Sequence, residues 1–383
     1  MIAGIKNPEK GAQAETADAA IRLMLVDDSA IIRGLIARMV SDDPDIEVVA
    51  SVGDGAQAVK RMEQGNIDVI VLDIEMPVMD GLTALPKIIA LDPNVKIIMA
   101  STLTERNADV SIRALGMGAA DYVPKPTSTT KIGGASDFRR ELVEKIKSLG
   151  AAARGKSSLS LPGATVKTEK EAPKSLYPKP VALRRAGIAQ PPEILAVGCS
   201  TGGPQALHAF FGALKPDIGV PVVVTQHMPP TFTRILAEHI AKDSEWTGAE
   251  AQDGDVLQPN RFYMAPGDFH MVIEASPEGP VVRINQDPKE NFCRPAVDPM
   301  FRSVAKTYTG KALAVILTGM GSDGLKGSQA LIDAGGTLIA QDEESSIVWG
   351  MPGAVSTAGL CTAVLPINGL VDRVMQFFRR NRR

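Results

Sequence analysis

Three features of the sequence predict an α/β protein of two domains, each built on a doubly wound parallel sheet. Residues 21–150 alternate short apolar runs with amphipathic stretches, as repeated strand–helix units do. Residues 151–192 are rich in proline and basic residues, and a second strand–helix pattern begins at Ile194. We therefore expect a disordered leader at 1–20, a first domain at 21–150, a linker at 151–192 and a second domain at 193–383.

The composition excludes several classes of protein. The formal net charge of −3 provides no basic field of the kind that nucleic-acid binding needs, so we expect no nucleic-acid partner. Cys199, Cys293 and Cys361 form no C-x-x-C pair and suit neither a zinc site nor a disulfide framework. No apolar run approaches the roughly 20 residues of a membrane span, and the charged leader is not a signal peptide. We expect a cytoplasmic protein without direct membrane insertion.

The first domain should contain five strand–helix units. The strand candidates are the apolar runs LMLVDD, IEVVASV, DVIVLDIE, KIIMAST and ADYVPK. The helix candidates carry apolar residues at three- and four-residue steps and span 31–40, 57–63, 82–91, 108–116 and 138–149. Such units predict a five-stranded parallel sheet covered by helices on both faces.

The linker and the second domain differ in character. Residues 151–192 hold eight Lys/Arg, two Glu and few large apolar side chains, too few to offset the entropy lost on ordering. Within them, 181–189 is a candidate for a docked helix. The second domain has the strand candidates ILAVG, VPVVVTQH, ALAVILTG and GTLIA, whereas 262–284 favours antiparallel hairpins.

Acidic side chains follow two strands of the first domain. Asp27 and Asp28 come directly after LMLV, and Asp73 follows VIVL. Ligands of open parallel sheets bind outside the carboxyl ends of the strands, and three carboxylates there form an oxygen-rich site suited to Mg²⁺. Helix capping is an equal alternative for Asp27 or Asp28 alone, but it does not explain the whole set.

Two further residues end the fourth and fifth strands. Ser101 offers a hydroxyl to an anion, and Lys125 offers the cation that phosphoryl chemistry uses to neutralise transferred charge. With the acids, they resemble the response-regulator receiver family, whose fold is flavodoxin-like. The matching segments are Val26-Asp27-Asp28-Ser29, Leu72-Asp73-Ile74-Glu75-Met76-Pro77, Asp80-Gly81, Ser101 and Lys125-Pro126.

The receiver resemblance implies a role for each of these residues. It makes Asp73 the phosphoacceptor, and it makes Asp27 and Asp28 partners of Asp73 in holding Mg²⁺. It also implies that Ser101 is the switch hydroxyl, that Lys125 contacts the phosphoryl group and that Tyr122 is the switch aromatic residue.

A candidate nucleophile opens the second domain. Gly198-Cys199-Ser200-Thr201-Gly202-Gly203 follows the strand ILAV and precedes a helical pattern at 204–211. Gly-x-Ser-x-Gly at such a turn lifts a serine hydroxyl clear of the sheet. Taken alone the pattern is weak, because glycine-rich turns of this kind more often bind a nucleotide phosphate, or nothing.

A serine nucleophile needs a base, and the chain has four histidines. His208 lies two turns along the helix after Ser200, His239 occupies a solvated face beside Glu238, and His270 is a loop residue away from that edge of the sheet. His227 ends VPVVVTQ at the same edge as Ser200, so geometry favours His227.

The third member should be an acid that orients the imidazole. Asp323 follows ALAVILTG in a glycine-rich turn, at a third strand tip. Asp298 competes for the role, although a cap on the helix predicted at 299–308 is the favoured interpretation of it. The order Ser…His…Asp differs from the Ser…Asp…His order of α/β-hydrolases.

The second domain resembles the catalytic domain of the chemotaxis protein-glutamate methylesterase family. The matching segments are Gly198–Gly203, Gln226-His227-Met228-Pro229-Pro230, Ala265-Pro266-Gly267-Asp268, Arg294-Pro295-Ala296-Val297-Asp298, Leu317–Gly324 and Gly350-Met351-Pro352. One departure is Cys293, where some members have histidine. Because Arg294 is retained, we expect that departure to affect only local substrate contacts.

This second resemblance implies a triad of Ser200, His227 and Asp323, with the Met320 backbone N–H helping to bind the oxyanion and no cofactor for the esterase chemistry. It implies hydrolysis of glutamate methyl esters, and deamidation of glutamines, on the cytoplasmic helices of chemoreceptors. The phosphodonor would be the chemotaxis histidine kinase. The unphosphorylated receiver should cover the triad, and phosphorylation of Asp73 should weaken that contact.

Two other classes of function compete with this one. A receiver can be joined to a nucleic-acid-binding domain, but the second half lacks a basic recognition helix. A phosphate- or nucleotide-binding module would use the Gly198–Gly203 turn and would not need His227 or Asp323.

Overall fold

The computed structural model describes residues 20–102, 104–125, 132–157, 181–184 and 191–379. Most of the predicted leader and linker, and Pro126, lie outside these ranges. Within them, no helix is long and apolar enough to cross a membrane.

The first domain is a five-stranded parallel sheet with the strand order β2-β1-β3-β4-β5. Its strands are β1 (Ile21–Val26), β2 (Ile46–Val52), β3 (Val69–Asp73), β4 (Lys96–Ser101) and β5 (Asp121–Pro124). Its helices are α1 (Ala30–Val40), α2 (Gly55–Met62), α3 (Gly81–Leu91), α4 (Glu105–Gly116) and α5 (Ile132–Ser157). Every residue of β3 is buried, as a strand covered on both faces requires. The predicted sheet is confirmed.

Side-chain caps define where helices of this domain begin. Ser29, Asp54, Asp80 and Thr104 each accept a hydrogen bond from the backbone N–H three residues on. These helices therefore begin slightly before their first periodic apolar residue. The last helix of the domain, α5, continues beyond residue 150 to Ser157, and within this extension Arg154 Nη2 lies 2.9 Å from Asp68 Oδ2.

The second domain is a seven-stranded parallel sheet with the order β14-β13-β12-β6-β7-β9-β8, and a separate hairpin of β10 and β11. Its strands are β6 (Ile194–Cys199), β7 (Val222–Gln226), β8 (Thr247–Glu250), β9 (Arg261–Met264), β10 (His270–Ser276), β11 (Gly279–Asn285), β12 (Ala312–Ile316), β13 (Thr337–Gln341) and β14 (Ala363–Leu365). Its helices are α6 (Gly203–Ala213), α7 (Phe232–Asp243), α8 (Val297–Tyr308), α9 (Leu325–Asp333), α10 (Gly350–Thr357) and α11 (Ile367–Arg379).

Two local predictions need correction. The antiparallel pattern expected across 262–284 holds only for β10 and β11, whereas β9 pairs in parallel with β7 and β8. Three of the four residues of β9 are buried, which suits an interior strand. The proposed helix at 181–189 is absent from its described part, 181–184, where the Arg184 N–H instead bonds to the Cys361 carbonyl at 2.9 Å.

The two domains pack through α4 and β5 of the first against α6 and α7 of the second. Tyr122 and Phe232 belong to one continuous apolar cluster that crosses the boundary. The Gln205 amide adds a hydrogen bond to the Leu115 carbonyl at 2.7 Å. The edge of the second domain next to the Ser200 turn is therefore covered by the first domain.

Candidate acidic and active sites

The predicted acidic site forms at the carboxyl edge of the first sheet. Asp27, Asp28 and Asp73 bring their oxygens within 4.8 Å of one another. Lys125 Nζ lies 2.8 Å from Asp27 Oδ2 and 2.6 Å from Asp73 Oδ1. Burial raises the pKa of Asp73 to about 6, although Lys125 opposes the rise.

The donor set fits a magnesium ion. Asp73 Oδ2 is buried and has no hydrogen-bond partner among the described residues, so it is available to a cation. Neither Asp27 nor Asp28 caps a helix, because Ser29 caps α1 and Asp27 Oδ1 accepts the Ser29 N–H at 2.8 Å. The capping alternative does not apply.

The two predicted switch residues lie between this site and the second domain. Ser101 is buried at the end of β4, where its hydroxyl accepts a hydrogen bond from the Ser111 hydroxyl at 3.1 Å. Tyr122 is buried in β5, and its ring stacks on Phe232 with centroids 4.5 Å apart. The Lys145 ammonium lies 5.0 Å from the centre of the Tyr122 ring.

Ser200 occupies a tight turn between β6 and α6. Its backbone N–H donates to the Thr318 carbonyl at 3.0 Å, and its carbonyl accepts from the Gly203 N–H at 2.7 Å. Gly202 has φ +76°, and a Cβ there would lie 2.7 Å from Ile347 Cβ, so this position requires glycine. The Ser200 side chain is half-buried at the tip of its strand.

His227 and Asp323 are brought together from the tips of β7 and β12. His227 Nε2 lies 2.7 Å from Asp323 Oδ2, so the imidazole can donate this proton and keep Nδ1 for another partner. Burial disfavours the ionised form of Asp323, but the His227 hydrogen bond and backbone N–H groups outweigh it and lower the pKa of that carboxyl. Asp323 is thus held as a carboxylate.

The turns that carry Ser200 and His227 are connected by one backbone hydrogen bond and one from the Gln226 side chain. The His227 N–H donates to the Cys199 carbonyl at 3.2 Å, and Gln226 Nε2 donates to the Ser200 carbonyl at 2.9 Å. Within the described part of the chain, no hydrogen bond joins the Ser200 hydroxyl to the imidazole. Gln226 was part of a segment that matches the methylesterase family, but no role was assigned to it from the sequence.

Cys293 lies against the imidazole of His227. Burial disfavours protonation of His227, but the Cys293 sulfur, within hydrogen-bonding reach, and the Asp323 carboxylate outweigh it and raise the pKa of His227 well above its ordinary value. The presence of Cys293, where some family members have histidine, therefore affects the protonation of the candidate base His227. The sequence led us to expect an effect on local substrate contacts only.

The other histidines have different surroundings. His208 Nδ1 is 3.9 Å from Asp243 Oδ2 on α7. His239 does not lie on a solvated face, because its Nε2 bonds to Asp109 Oδ1 of the first domain at 2.9 Å. His270 is not a loop residue: it is buried at the start of β10, with Nε2 3.1 Å from the Pro288 carbonyl oxygen.

Asp298 caps a helix other than the one expected. Ala296, rather than Asp298, precedes the first turn of α8 as its N-cap. The Asp298 carboxylate accepts the Gly327 N–H at 2.6 Å, in the first turn of α9. The predicted cap of Asp298 on the helix at 299–308 is therefore wrong, because Asp298 lies inside α8 and its carboxylate bonds to a neighbouring helix instead.

Met320, the candidate oxyanion donor, lies in the turn after β12. Its half-buried side chain packs with Ile347 and Val348 against apolar residues of the first domain, among them Phe138 and Leu142 of α5. The first domain thus reaches the candidate oxyanion side of the site as well as the nucleophile side.

An acidic phosphoacceptor-type site on one sheet and a serine, histidine and aspartate set on another are features of a receiver joined to a hydrolase. The response regulator receiver domain model matches residues 23–135, and the CheB methylesterase model matches residues 195–374. The chain belongs to the family of protein-glutamate methylesterases/protein-glutamine glutaminases, which confirms the resemblance and the enzyme class predicted from the sequence.

Relatives extend over nearly the whole chain. The protein-glutamate methylesterase/protein-glutamine glutaminase 1 of Paramagnetospirillum magneticum is 53% identical over 368 residues, covering 94% of this chain and 97% of that protein. The corresponding protein of Azospirillum brasilense is 55% identical over 375 residues, covering 94% and 93%. The crystal structure of the Thermotoga maritima CheB methylesterase catalytic domain is 40% identical and covers 48% of this chain and 98% of that one, with a TM-score of 0.47.

Proposed function

We propose that this chain is a cytoplasmic, phosphorylation-activated methylesterase that hydrolyses glutamate methyl esters, and deamidates glutamines, on chemoreceptor helices during chemotaxis adaptation. The observation that carries the proposal is the 2.7 Å contact between His227 Nε2 and Asp323 Oδ2 beside the Ser200 turn. The names of the relatives supply the substrate class.

The proposed reaction is acyl transfer through Ser200. His227 takes the Ser200 proton at Nδ1 while Asp323 holds the opposite ring nitrogen, and Ser200 Oγ attacks the ester carbonyl. Methanol, or ammonia from a glutamine, leaves with the proton returned by His227. Water then hydrolyses the acyl-enzyme, and the Met320 N–H stabilises the oxyanion; loss of one such donor typically costs on the order of 10²–10³ in rate.

Phosphorylation is proposed to occur on Asp73, with the chemotaxis histidine kinase as donor. Asp27, Asp28 and Asp73 would hold Mg²⁺, which when bound neutralises charge on the transferred phosphoryl group. Lys125, already 2.6 Å from Asp73 Oδ1, would contact the phosphoryl oxygens and release its present ion pair.

The proposed control is occlusion of the active site by the receiver. Support comes from Thr201, the residue after Ser200, whose hydroxyl donates a hydrogen bond to Asp121 Oδ2 of the receiver strand β5 at 2.6 Å. The Tyr122–Phe232 stack lies beside it, and Arg140 covers the ring of Phe292 at 4.0 Å. Phosphorylation acts by shifting the population toward a form in which these contacts are released.

The test measures methanol release from a methylated receptor fragment, with and without a small-molecule phosphodonor. We expect low basal release, an increase with phosphodonor, and none from Ser200→Ala. Ser276→Ala, in the remote β10–β11 hairpin, is the matched control and should behave as the parent. Near-parental release by Ser200→Ala would exclude Ser200 as nucleophile, and phosphodonor-independent release would exclude control through Asp73.

A further inference from the structure

Two buried carboxylates lie side by side behind the candidate base. Asp323 is 2% exposed and Asp298 is 1% exposed. Burial, and then the charge of Asp323, raise the pKa of Asp298. Paired acids in such surroundings tend to share one proton. A proton on Asp323 would remove the acceptor that orients His227.

Asn291 lies between the two acids. Its Nδ2 donates to Asp323 Oδ1 at 2.8 Å and to Asp298 Oδ2 at 3.1 Å, so one amide group serves both carboxylates. Its backbone has φ +51°, a left-handed conformation that asparagine tolerates better than most residues. Asparagine therefore combines the required backbone and the required donor.

The remaining groups around Asp323 do not duplicate this amide. Val297, Asp298 and Gly324 supply backbone N–H groups, and His227 occupies Oδ2. The other ionisable groups nearby are Cys293, on the far side of His227, and Arg302, which is paired with Glu290. Among these groups, Asn291 is thus the side chain that donates hydrogen bonds to both carboxylates.

We propose that Asn291 is a positioning residue for the esterase reaction: its amide keeps Asp298 and Asp323 ionised together and holds Asp323 with Oδ2 toward His227. The inference rests on the proposed function, because it assigns a role in presenting the base. In the described part of the chain, the hydrogen bonds of the Asn291 amide go to the two carboxylates and not to Ser200 or His227. Its loss should therefore lower kcat and leave KM nearly unchanged.

The decisive variant is Asn291→Gly, which keeps the left-handed backbone accessible and removes the side chain that carries the amide. We expect kcat for methanol release to fall on the order of 10- to 100-fold, since a misoriented base costs that much. The acid limb of the pH profile, where kcat rises with pH, should move to higher pH. Without the amide, Asp298 and Asp323 would keep a shared proton up to a higher pH. The downfield NMR resonance of the His227 Nε2 proton should be lost. The matched control is Asn260→Gly, another left-handed asparagine in the same domain, with φ +60°.

Each outcome decides the proposal. The proposal would be overturned if Asn291→Gly had a kcat within twofold of that of Asn260→Gly and an acid limb at the same pH. It would also be overturned if the variant changed KM and left kcat unaltered. Asn291→Asp keeps the shape but replaces the donor by a third acid, and it should be at least as impaired. If neither Asn291 variant folds, Asn291 is a structural residue and the proposal fails. The NMR readout needs no substrate and separates the two proposals. An inactive parent enzyme would refute the proposed function, whereas a His227 Nε2 proton resonance that persists in Asn291→Gly would overturn the role of Asn291.

Discussion

The ring of Tyr122 in the receiver stacks on the ring of Phe232 in the catalytic domain, with centroids 4.5 Å apart and planes inclined by 16°. Both side chains are buried, Tyr122 at 4% exposure and Phe232 at 0%. The contact joins the predicted switch residue of one domain to the first residue of α7 in the other. A change in the rotamer of Tyr122 would therefore act directly on the domain interface.

Replacing Tyr122 with leucine should raise basal methylesterase activity. An aromatic pair contributes about 0.5–1.5 kcal/mol beyond its buried area, so its loss should increase the open population about two- to tenfold. Methanol release without phosphodonor measures the effect. Met62→Leu, a substitution to leucine at another buried position of the receiver, in α2, is the control. Equal basal rates in the two variants would argue against this contact as part of the resting state.

Replacing Cys293 with alanine should shift the pH dependence of kcat. His227 acts as a base only when neutral, and its pKa is raised above the ordinary value of about 6.5, so activity should rise above that pH. Removing the sulfur takes away one of the groups that raise the pKa, and the acid limb should move to lower pH. Cys361→Ala, a buried cysteine elsewhere in the same domain, should leave the limb in place. A limb unchanged in Cys293→Ala would show that Asp323 alone sets this pKa.

The His227–Asp323 pair should stabilise the fold within a defined pH window. Because the pKa of His227 is raised, its contribution is complete below the unfolded value of about 6.5 and is lost as pH rises through the folded pKa. Because the pKa of Asp323 is lowered, its contribution is present above about 3.9 and is lost as pH falls through the folded pKa. The difference in Tm between the parent and His227→Gln should therefore be greatest between about pH 4 and 6.5. A constant difference across pH would contradict the ion pair.

Replacing Asp28 with asparagine should weaken Mg²⁺ binding while preserving the receiver fold. Asp28 is exposed, and it is not a partner of Lys125, which pairs with Asp27 and Asp73. Loss of one of three carboxylate charges should weaken binding by roughly tenfold. Titration calorimetry with Mg²⁺ measures this, and Glu63→Gln at the end of α2 is a charge-matched control. Parental affinity in Asp28→Asn would place the ion elsewhere.

Two glycines of α6 should respond oppositely to alanine. A Cβ on Gly203 would lie 1.8 Å from Gln226 Oε1, so Gly203→Ala should destabilise the domain by about 1–3 kcal/mol and disturb the Ser200 turn. A Cβ on Gly212 meets nothing within 4 Å, and Gly212→Ala should stabilise the helix by about 0.5–1 kcal/mol. Urea unfolding of the two variants gives both values. A stable, active Gly203→Ala would show that the amide of Gln226 can move without cost.

The sequence by itself determined the first sheet, four strands of the second (β6, β7, β12 and β13) and the residues at the tips of these strands. Ser200, His227 and Asp323 follow three near-continuous apolar runs, and such runs become neighbouring strands, here β6, β7 and β12. The carboxyl ends of parallel strands share one edge, so periodicity was enough to predict that these side chains lie near one another. The same reasoning placed Asp27, Asp73 and Lys125 together.

Only the tertiary structure decided what surrounds those residues. Asn291 and Cys293 lie in an irregular loop after β11, and no periodicity relates that loop to Asp323 or His227. The contacts of Asp121 with Thr201 and of His239 with Asp109 depend on how the two domains pack against each other. Strand tips follow from local hydrophobic patterning, whereas the partners of a buried charge follow from which loops the complete chain brings against it.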